Sequence, residues 1–416
     1  MANHPANALV LFFFKKYDKA REYSEKALKI NPRSKEILCL NGWIGLICED
    51  DDFQKKTVKY FDESEWYELN CFRLMGRIKY LQVSKSFSSA LDVVNILVVK
   101  FPCLSIDPTC IEALKFQILY FLCYEGNTSA ALKKLEELKK ELEISEPKAS
   151  NQYSSVSKLI SLICGREPTI LQKVQELCEK AVELTPGNYH YLINLGHIVL
   201  MQGKLKESVQ HFRNAINLCE TSFDGLKAVV QCQLLQNNLQ EASTQLEFLS
   251  ELQPTIGKSS EVSYMVAVLR RKQGLSPSQI LTPLNEAMEL QLHKLRNVSL
   301  SLEYYELLNP DFLLQIISEY LIHAPPQPSN IGSTFRIFND MAYINDQHDS
   351  VLMRCLSILE PLTLSAPGFQ MGIYLTAYVH YMLRNTKIAI SNVKKCLEVN
   401  PSFLDGYILL AKVSLV

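Results

Sequence analysis

The sequence predicts an all-α chain folded as a solenoid, a superhelix of antiparallel helix pairs. Three observations predict it. Of the 416 residues, 47% are apolar and 21% charged, enough to bury a continuous core. Gly (15) and Pro (17) are scarce, which argues against a turn-dense β sandwich and against a disordered chain. Proline recurs after apolar, helix-patterned runs, and Pro186 to Pro254 is 68 residues while Pro367 to Pro401 is 34. A unit of about 34 residues therefore repeats.

That length is the period of a tetratricopeptide repeat, and its register can be tested. With Pro186 at position 32, Tyr189 becomes position 1 of the next unit. Leu192, Leu195, Gly196 and Val199 then fall at positions 4, 7, 8 and 11, and Ser208, Phe212 and Ala215 at 20, 24 and 27. The following unit starts at Phe223 and places Val230, Ala242, Leu246, Leu249 and Pro254 at 8, 20, 24, 27 and 32 without an insertion. Small residues at 8 (Gly42, Gly196, Ala377) and at 20 (Ala20, Ala90, Ala130, Ala242, Ala389) let two helices cross closely. Large residues at 4, 7, 11 and 24 fill the holes so formed, each worth roughly 1.5–3 kcal/mol on burial.

The frame marks most of the chain in order. Ala20, Ala27 and Pro32 end a first unit; Leu38, Gly42 and Phe61 belong to a second, with the acidic turn 49–52 between its helices. Ala90, Val94 and Pro102 anchor a third, although Gly76 sits two residues early. Leu114, Phe121, Ala130 and the charged stretch 133–143 supply another pair. Residues 152–164 with 170–184, and 260–271 with 279–292, are the pairs on either side of the clean register. Ile373, Ala377, Ala389, Val393, Cys396 and Pro401 fit again before a last helix over 403–416. Three places break the period. Pro102 and Pro108 stand only six residues apart, 292–350 has no clean frame, and the last helix has no partner. A helix-like run over 311–322 leads into Ala324-Pro-Pro-Gln-Pro328, and a polar stretch follows. The expected organisation is a repeat array over 1–323, a Pro-rich polar insertion or loop over 324–349, and a continued array over 350–416.

Charge and cysteine usage narrow the function class. Lys+Arg (43) against Asp+Glu (44) gives a net charge of -1, which removes the usual electrostatic basis for binding nucleic acid or an anionic membrane. Twelve cysteines are scattered singly, none in a CxxC pair, and read as small buried apolar residues in a reducing compartment. The apolar run 8–14 lacks a basic segment before it and a cleavage site after it, and it is too short to span a bilayer. An intracellular, soluble protein without membrane insertion is expected, for which the sequons at Asn127 and Asn297 are irrelevant.

No catalytic or cofactor-binding spacing is present: no GxxxxGK[ST], GxGxxG, GxSxG or HExxH. No catalytic, cofactor or metal residue is therefore assigned, and the chain is not expected to be an enzyme. His190 and His197, seven apart on one helix face, lack the further ligands that a metal site needs. The acidic turn 49–52 lacks the alternating ligands and central glycine of a calcium loop. Phe12 to Phe14, then Phe116, Tyr120, Phe121 and Tyr124, then Tyr304 and Tyr305 form aromatic clusters with no basic patch among them, so they read as core between repeats. The carboxylate clamp of co-chaperone tetratricopeptide domains would need Lys or Arg and Asn where this register holds Ile193, His197, Ala228, Lys258 and Val262. Only Lys258 matches, so such a clamp is not expected.

Several stretches outside the generic consensus resemble the large tetratricopeptide-repeat subunit of the intraflagellar transport A complex, the tetratricopeptide repeat protein 21 family. They are Tyr17-Asp-Lys-Ala-Arg-Glu-Tyr23, Cys164-Gly-Arg166 with Ile170-Leu-Gln-Lys173, and Gln245-Leu-Glu-Phe-Leu249 with Ile256-Gly-Lys-Ser259. Glu303-Tyr-Tyr-Glu306 with Leu308-Asn-Pro-Asp-Phe-Leu-Leu314 is similar too. Family members are much longer, carry an additional repeat where Pro102 and Pro108 crowd together, and lack the stretch 329–349. The resemblance implies a non-catalytic scaffold docking other transport-A subunits, acting in retrograde ciliary transport and ciliary membrane-protein trafficking. Its place would be the cytoplasm and the cilium or ciliary base. The alternative is a free-standing adaptor that takes a peptide in its groove outside cilia. Apolar residues at both ends, 9–14 and 407–416, predict faces without a neighbour and a chain that partly aggregates or binds chaperones.

Overall fold

The computed structural model describes residues 4–13, 16–47, 59–60, 111–296, 298, 301–324 and 347–415. Those residues form helices joined by short turns, as the period requires, and the fold is an α-solenoid of tetratricopeptide type. The chain divides into two compact units, residues 1–117 with 299–301, and the remainder. Positions 49–52, 61, 76, 90, 94, 102, 108 and 325–346, on which several expectations rest, lie outside the described residues.

In the first unit α1 (His4–Phe13), α2 (Tyr17–Ile30) and α3 (Lys35–Ile47) pack in sequence. Ala8 and Ala20, twelve residues apart like positions 8 and 20, are both fully buried at the α1–α2 crossing. Ser24 donates to Asn41 Oδ1 at 2.6 Å, a direct polar contact between α2 and α3. Leu9 and Val10 are about half exposed, whereas Leu11 and Phe12 pack against the cluster around Ala8 and Ala20.

The division between the units falls within α4 (Ile111–Tyr120), which continues as one π-helical turn, Phe121–Glu125. A π turn carries one extra residue. The consequence is a register shift: Ala131 is fully buried in α5 (Thr128–Ser145), whereas Ala130, the residue the 34-residue frame selects, is only half-buried. Leu135 and Leu138 follow in the shifted frame and are buried.

Four pairs then stack without interruption: α6 (Ser150–Ile163) with α7 (Pro168–Leu184), α8 (Tyr189–Met201) with α9 (Leu205–Leu218), α10 (Phe223–Leu235) with α11 (Leu239–Ile256), and α12 (Ser260–Lys272) with α13 (Pro277–Lys294). The clean register explains their crossings. A Cβ on Gly196 would lie 2.5 Å from the Phe212 ring, so position 8 must be bare where position 24 carries an aromatic. Pro254 does not end α11; it sits inside the last turn, and the chain leaves the helix only at Gly257, whose φ of 104° favours glycine. The first helices α6, α8, α10 and α12 touch one another in succession and form the inner row of the stack.

Most described residues of the stretch without a clean frame are also helical. α14 (Leu302–Leu308) and α15 (Pro310–Ile322) are separated by Asn309 alone, left-handed at φ 44°, whose side chain accepts from the Phe312 amide. Such a break cannot form a repeat hairpin, which is why the frame fails there. α16 begins at Gln347, inside the segment expected as an insertion, and runs to Ser365. It packs on α17 (Gln370–Met382), which pairs with α18 (Thr386–Val399), and α19 (Leu404–Ser414) lies last. Ala377, Ala389 and Val393 are fully buried at the α17–α18 crossing, as positions 8, 20 and 24 should be.

Candidate functional site

In a repeat superhelix the inner row is the surface that ordinarily takes a ligand. Here α15 lies across it. α15 packs on α6 and α13, and Phe312 meets the Tyr264 ring of α12 edge-on at 5.5 Å. Leu313, Ile316, Ile317 and Tyr320 are wholly inaccessible, so α15 is apolar around most of its circumference, as a helix enclosed by protein must be. Tyr320 donates its hydroxyl to Asn285 Oδ1 at 2.6 Å.

Two carboxylates anchor α15. Asp311, with a side chain only 7% exposed, receives Arg166 Nε at 2.6 Å and Nη2 at 3.0 Å, the forked pairing that fixes orientation as well as charge. Gln315 donates to the same carboxylate at 2.8 Å. Arg166 reaches it from the tight turn between α6 and α7, where Gly165 and Arg166 both have positive φ (60° and 61°). Eight residues on, Glu319, 4% exposed, pairs with Arg271 at the end of α12. On the rim Lys158 of α6 meets Glu306 of α14 at 3.0 Å.

A second contact closes the stack on itself. The Gly368 amide donates to the Cys123 carbonyl of the π turn at 2.7 Å. Beside it Tyr124 and Tyr305 hydroxyls meet at 3.2 Å, Tyr305 donates to the Ser365 carbonyl at 2.7 Å, and Tyr304 meets the Ser365 hydroxyl at 3.0 Å. Burial pushes the Tyr124 hydroxyl up to about 12, so it stays protonated. Of the aromatic residues expected as inter-repeat core, Tyr124 and Tyr305 are thus brought together from 181 residues apart.

Further charges of the inner row meet at Glu261. Glu261 of α12 sits 3.9 Å from Lys227 and 3.4 Å from Lys294, and accepts from the Ser259 hydroxyl at 2.7 Å. Burial opposes its ionisation, but the two lysines and the hydroxyl outweigh burial and hold the carboxyl at about 2, against 4.5 when unfolded. A depressed carboxyl stabilises the fold above its unfolded value and loses that contribution as pH falls through the folded one. Stability should therefore drop between about pH 4.5 and pH 2, and Glu261→Gln should flatten that part of a denaturant-midpoint profile. A profile identical to wild type would show that Glu261 is not the titrating group.

The other residues singled out from sequence are scattered. His190 is exposed, while His197 packs on Phe212 at 5.0 Å; burial first, and then Lys227, lower His197 to about 4. Among the described residues no group of three or more His, Cys, Asp or Glu could hold a metal, and no helix is long and apolar enough to cross a membrane. At the clamp positions Ile193, Ala228 and Val262 are buried, and Lys258 is engaged with Glu286 at 2.5 Å. The described cysteines are free and, except for half-buried Cys219, buried.

Two family models match the chain in tandem. One is the tetratricopeptide repeat protein 21 N-terminal ARM repeat, over residues 2–120; the other is the second ARM domain of the same family, over residues 133–416. The chain belongs to the tetratricopeptide repeat protein 21 family. Human tetratricopeptide repeat protein 21B is 34% identical over 98% of this chain, and the mouse 21A protein 30% identical over 98%. The chain spans 32% of the length of each. Among solved structures, the anaphase-promoting complex hetero-tetramer Cut9–Hcn1 (12% identity, TM-score 0.42, covering 98% of this chain and 74% of that one) and yeast Tom70 (11%, 0.40, 99% and 94%) share its helical-repeat character. Two of the stretches that resemble the family take part in the closure. Cys164-Gly-Arg166 grips the Asp311 of Leu308-Asn-Pro-Asp-Phe-Leu-Leu314, and Glu303-Tyr-Tyr-Glu306 supplies both tyrosines and the rim carboxylate.

Proposed function

We propose that this chain is a non-catalytic protein-docking scaffold of the intraflagellar transport A complex, acting in retrograde ciliary transport and ciliary membrane-protein trafficking. Its partners are the other transport-A subunits, and its place is the cytoplasm and the cilium or ciliary base. The observation that carries the reading is the tandem match of two family models across nearly the whole chain. The array 1–323, the insertion 324–349 and the continuation 350–416 are the proposed organisation. No cofactor, nucleic acid or membrane insertion enters it.

The occupied inner row bears on how such a scaffold docks. With α15 seated against α6 and α12, those two inner helices are not open to a peptide. That speaks against the adaptor that takes a peptide in its groove. Docking falls to the outer helices and the turns. Affinity purification of the tagged chain from ciliated cells, read by mass spectrometry, tests this. Recovery of other transport-A subunits is the expected result. Recovery of chaperones alone, or of an unrelated partner, would mean that the fold persists without the family role.

A further inference from the structure

Serine or threonine precedes proline three times in the chain, at Thr185-Pro186, Ser276-Pro277 and Thr282-Pro283. This dipeptide is the one that proline-directed kinases modify. Such an enzyme must draw the residues on either side of the acceptor hydroxyl into its cleft in extended form, so the fold decides among the three. Thr282 lies inside α13, donates its hydroxyl to the Ser278 carbonyl at 2.8 Å, and is followed by a proline buried in the core. Presenting it would mean melting the helix. Thr185 is the C-cap of α7, with Ala181 fully buried just before it, and its hydroxyl donates to Ser150 of α6 at 2.9 Å. Presenting it would break that contact and unwind the end of α7.

Ser276 stands in the turn between α12 and α13, where every residue from Gln273 to Gln279 is exposed. The residues just before it are not helical, Gly274 being left-handed at φ 74°, and Ser276 itself is extended at φ -63° and ψ 149°. Its hydroxyl is engaged within the turn, donating to Gln279 Oε1 at 2.7 Å and lying 3.2 Å from the Ser278 hydroxyl. Opening the first turn of α13 is enough to present Ser276 with Pro277 after it, and helix ends open at far lower cost than helix interiors.

The surroundings suit the product as well as the reaction. α12 ends in Arg270, Arg271 and Lys272, and the first turn of α13 holds no acid. Arg271 is taken by Glu319 and Lys272 by Asn237. Arg270 instead crosses the turn and donates Nη1 to the Gln279 carbonyl at 2.8 Å, the carbonyl that Pro283 leaves without its helical donor. Its guanidinium is thereby held three residues from Ser276, where a phosphate could pair with it. We infer that Ser276 is a phosphorylation site for a proline-directed serine/threonine kinase, with Arg270 holding the phosphate. In the transfer Ser276 Oγ attacks the γ-phosphorus of ATP, the bond from that phosphorus to ADP breaks, and the hydroxyl proton passes to the base of the kinase. The inference does not depend on the docking role proposed above.

The full chain, incubated with ATP and an active mitogen-activated or cyclin-dependent kinase and mapped by mass spectrometry, should carry phosphate at Ser276. Thr185 and Thr282 should carry roughly tenfold less, or none, because each needs a costlier opening. A peptide of residues 268–288 has no fold to protect it and should be modified at Ser276 and Thr282 alike, which shows that both are competent acceptors. Ser276→Ala and Pro277→Ala should each remove the modification from the folded chain. In phosphorus NMR the second ionisation of the bound phosphate should lie below the value of about 6 usual for phosphoserine, and Arg270→Gln should return it there. A folded chain left unmodified at Ser276 would overturn the inference, as would equal modification of Thr185 or Thr282. Phosphate that survives Pro277→Ala would overturn the kinase class, and a titration unmoved by Arg270→Gln would overturn the role of Arg270.

Discussion

Gly368→Ala is expected to open the closure of the second unit and to lower its stability by about 3 kcal/mol, the upper end for overpacking a tight contact. A Cβ there would lie 2.4 Å from the Tyr124 carbonyl oxygen and 2.6 Å from the Gly126 amide nitrogen. Both are backbone atoms, so no rotamer change relieves the clash. Either the turn after α16 withdraws, losing the bond from the Gly368 amide to Cys123, or the π turn deforms. Withdrawal would also pull the Ser365 carbonyl from Tyr305 and the Ser365 hydroxyl from Tyr304. Gly187→Ala is the control, since nothing lies within 4 Å of its added methyl group, and a change within about 0.5 kcal/mol is expected. Urea unfolding measures the difference, and amide exchange locates it, with faster exchange expected along α14 and α15. Equal midpoints for the two alanine variants would sink the idea that this contact closes the stack.

What could be read from sequence follows from what the repeat demands. Positions 8 and 20 were legible because most crossings take a small residue there, and Gly196, Ala242, Ala377 and Ala389 sit buried where the frame puts them. The frame slipped by one at Ala130 because a π turn adds a residue without leaving a mark in composition. It failed at 292–350 because α14 and α15 serve the closure rather than the stack, so the 34-residue spacing does not constrain them. The tyrosines and Asp311 were visible only as residues that the repeat did not require. Arg166 lies 145 residues from Asp311, and no local pattern links the two. Even so, Arg166, Tyr304, Tyr305, Glu306 and Asp311 belong both to the family resemblance and to the closure, for one physical reason. A residue that the generic repeat does not need is kept in place by what it contacts elsewhere.

Arg271→Met is expected to destabilise the chain by about 3–5 kcal/mol, the range found when a buried ion pair loses one partner. Glu319, 4% exposed, would be left without the guanidinium that it pairs with. Removing the partner as well changes the outcome. Arg271→Met with Glu319→Leu leaves no unpaired charge and should return most of the lost stability. The coupling between the two sites should exceed about 2 kcal/mol, since they share one contact. Proteolysis within 310–322 adds a local readout: cleavage should rise in the single variant and fall back in the double. If Arg271→Met leaves stability unchanged, the apolar contacts of Leu313, Ile316, Ile317 and Tyr320 hold α15 alone, and the charged pair merely orients it. If the cycle closes as expected, the pair fixes which helix occupies the inner row. An apolar helix without a carboxylate at that position could not replace α15 without leaving Arg271 unmatched.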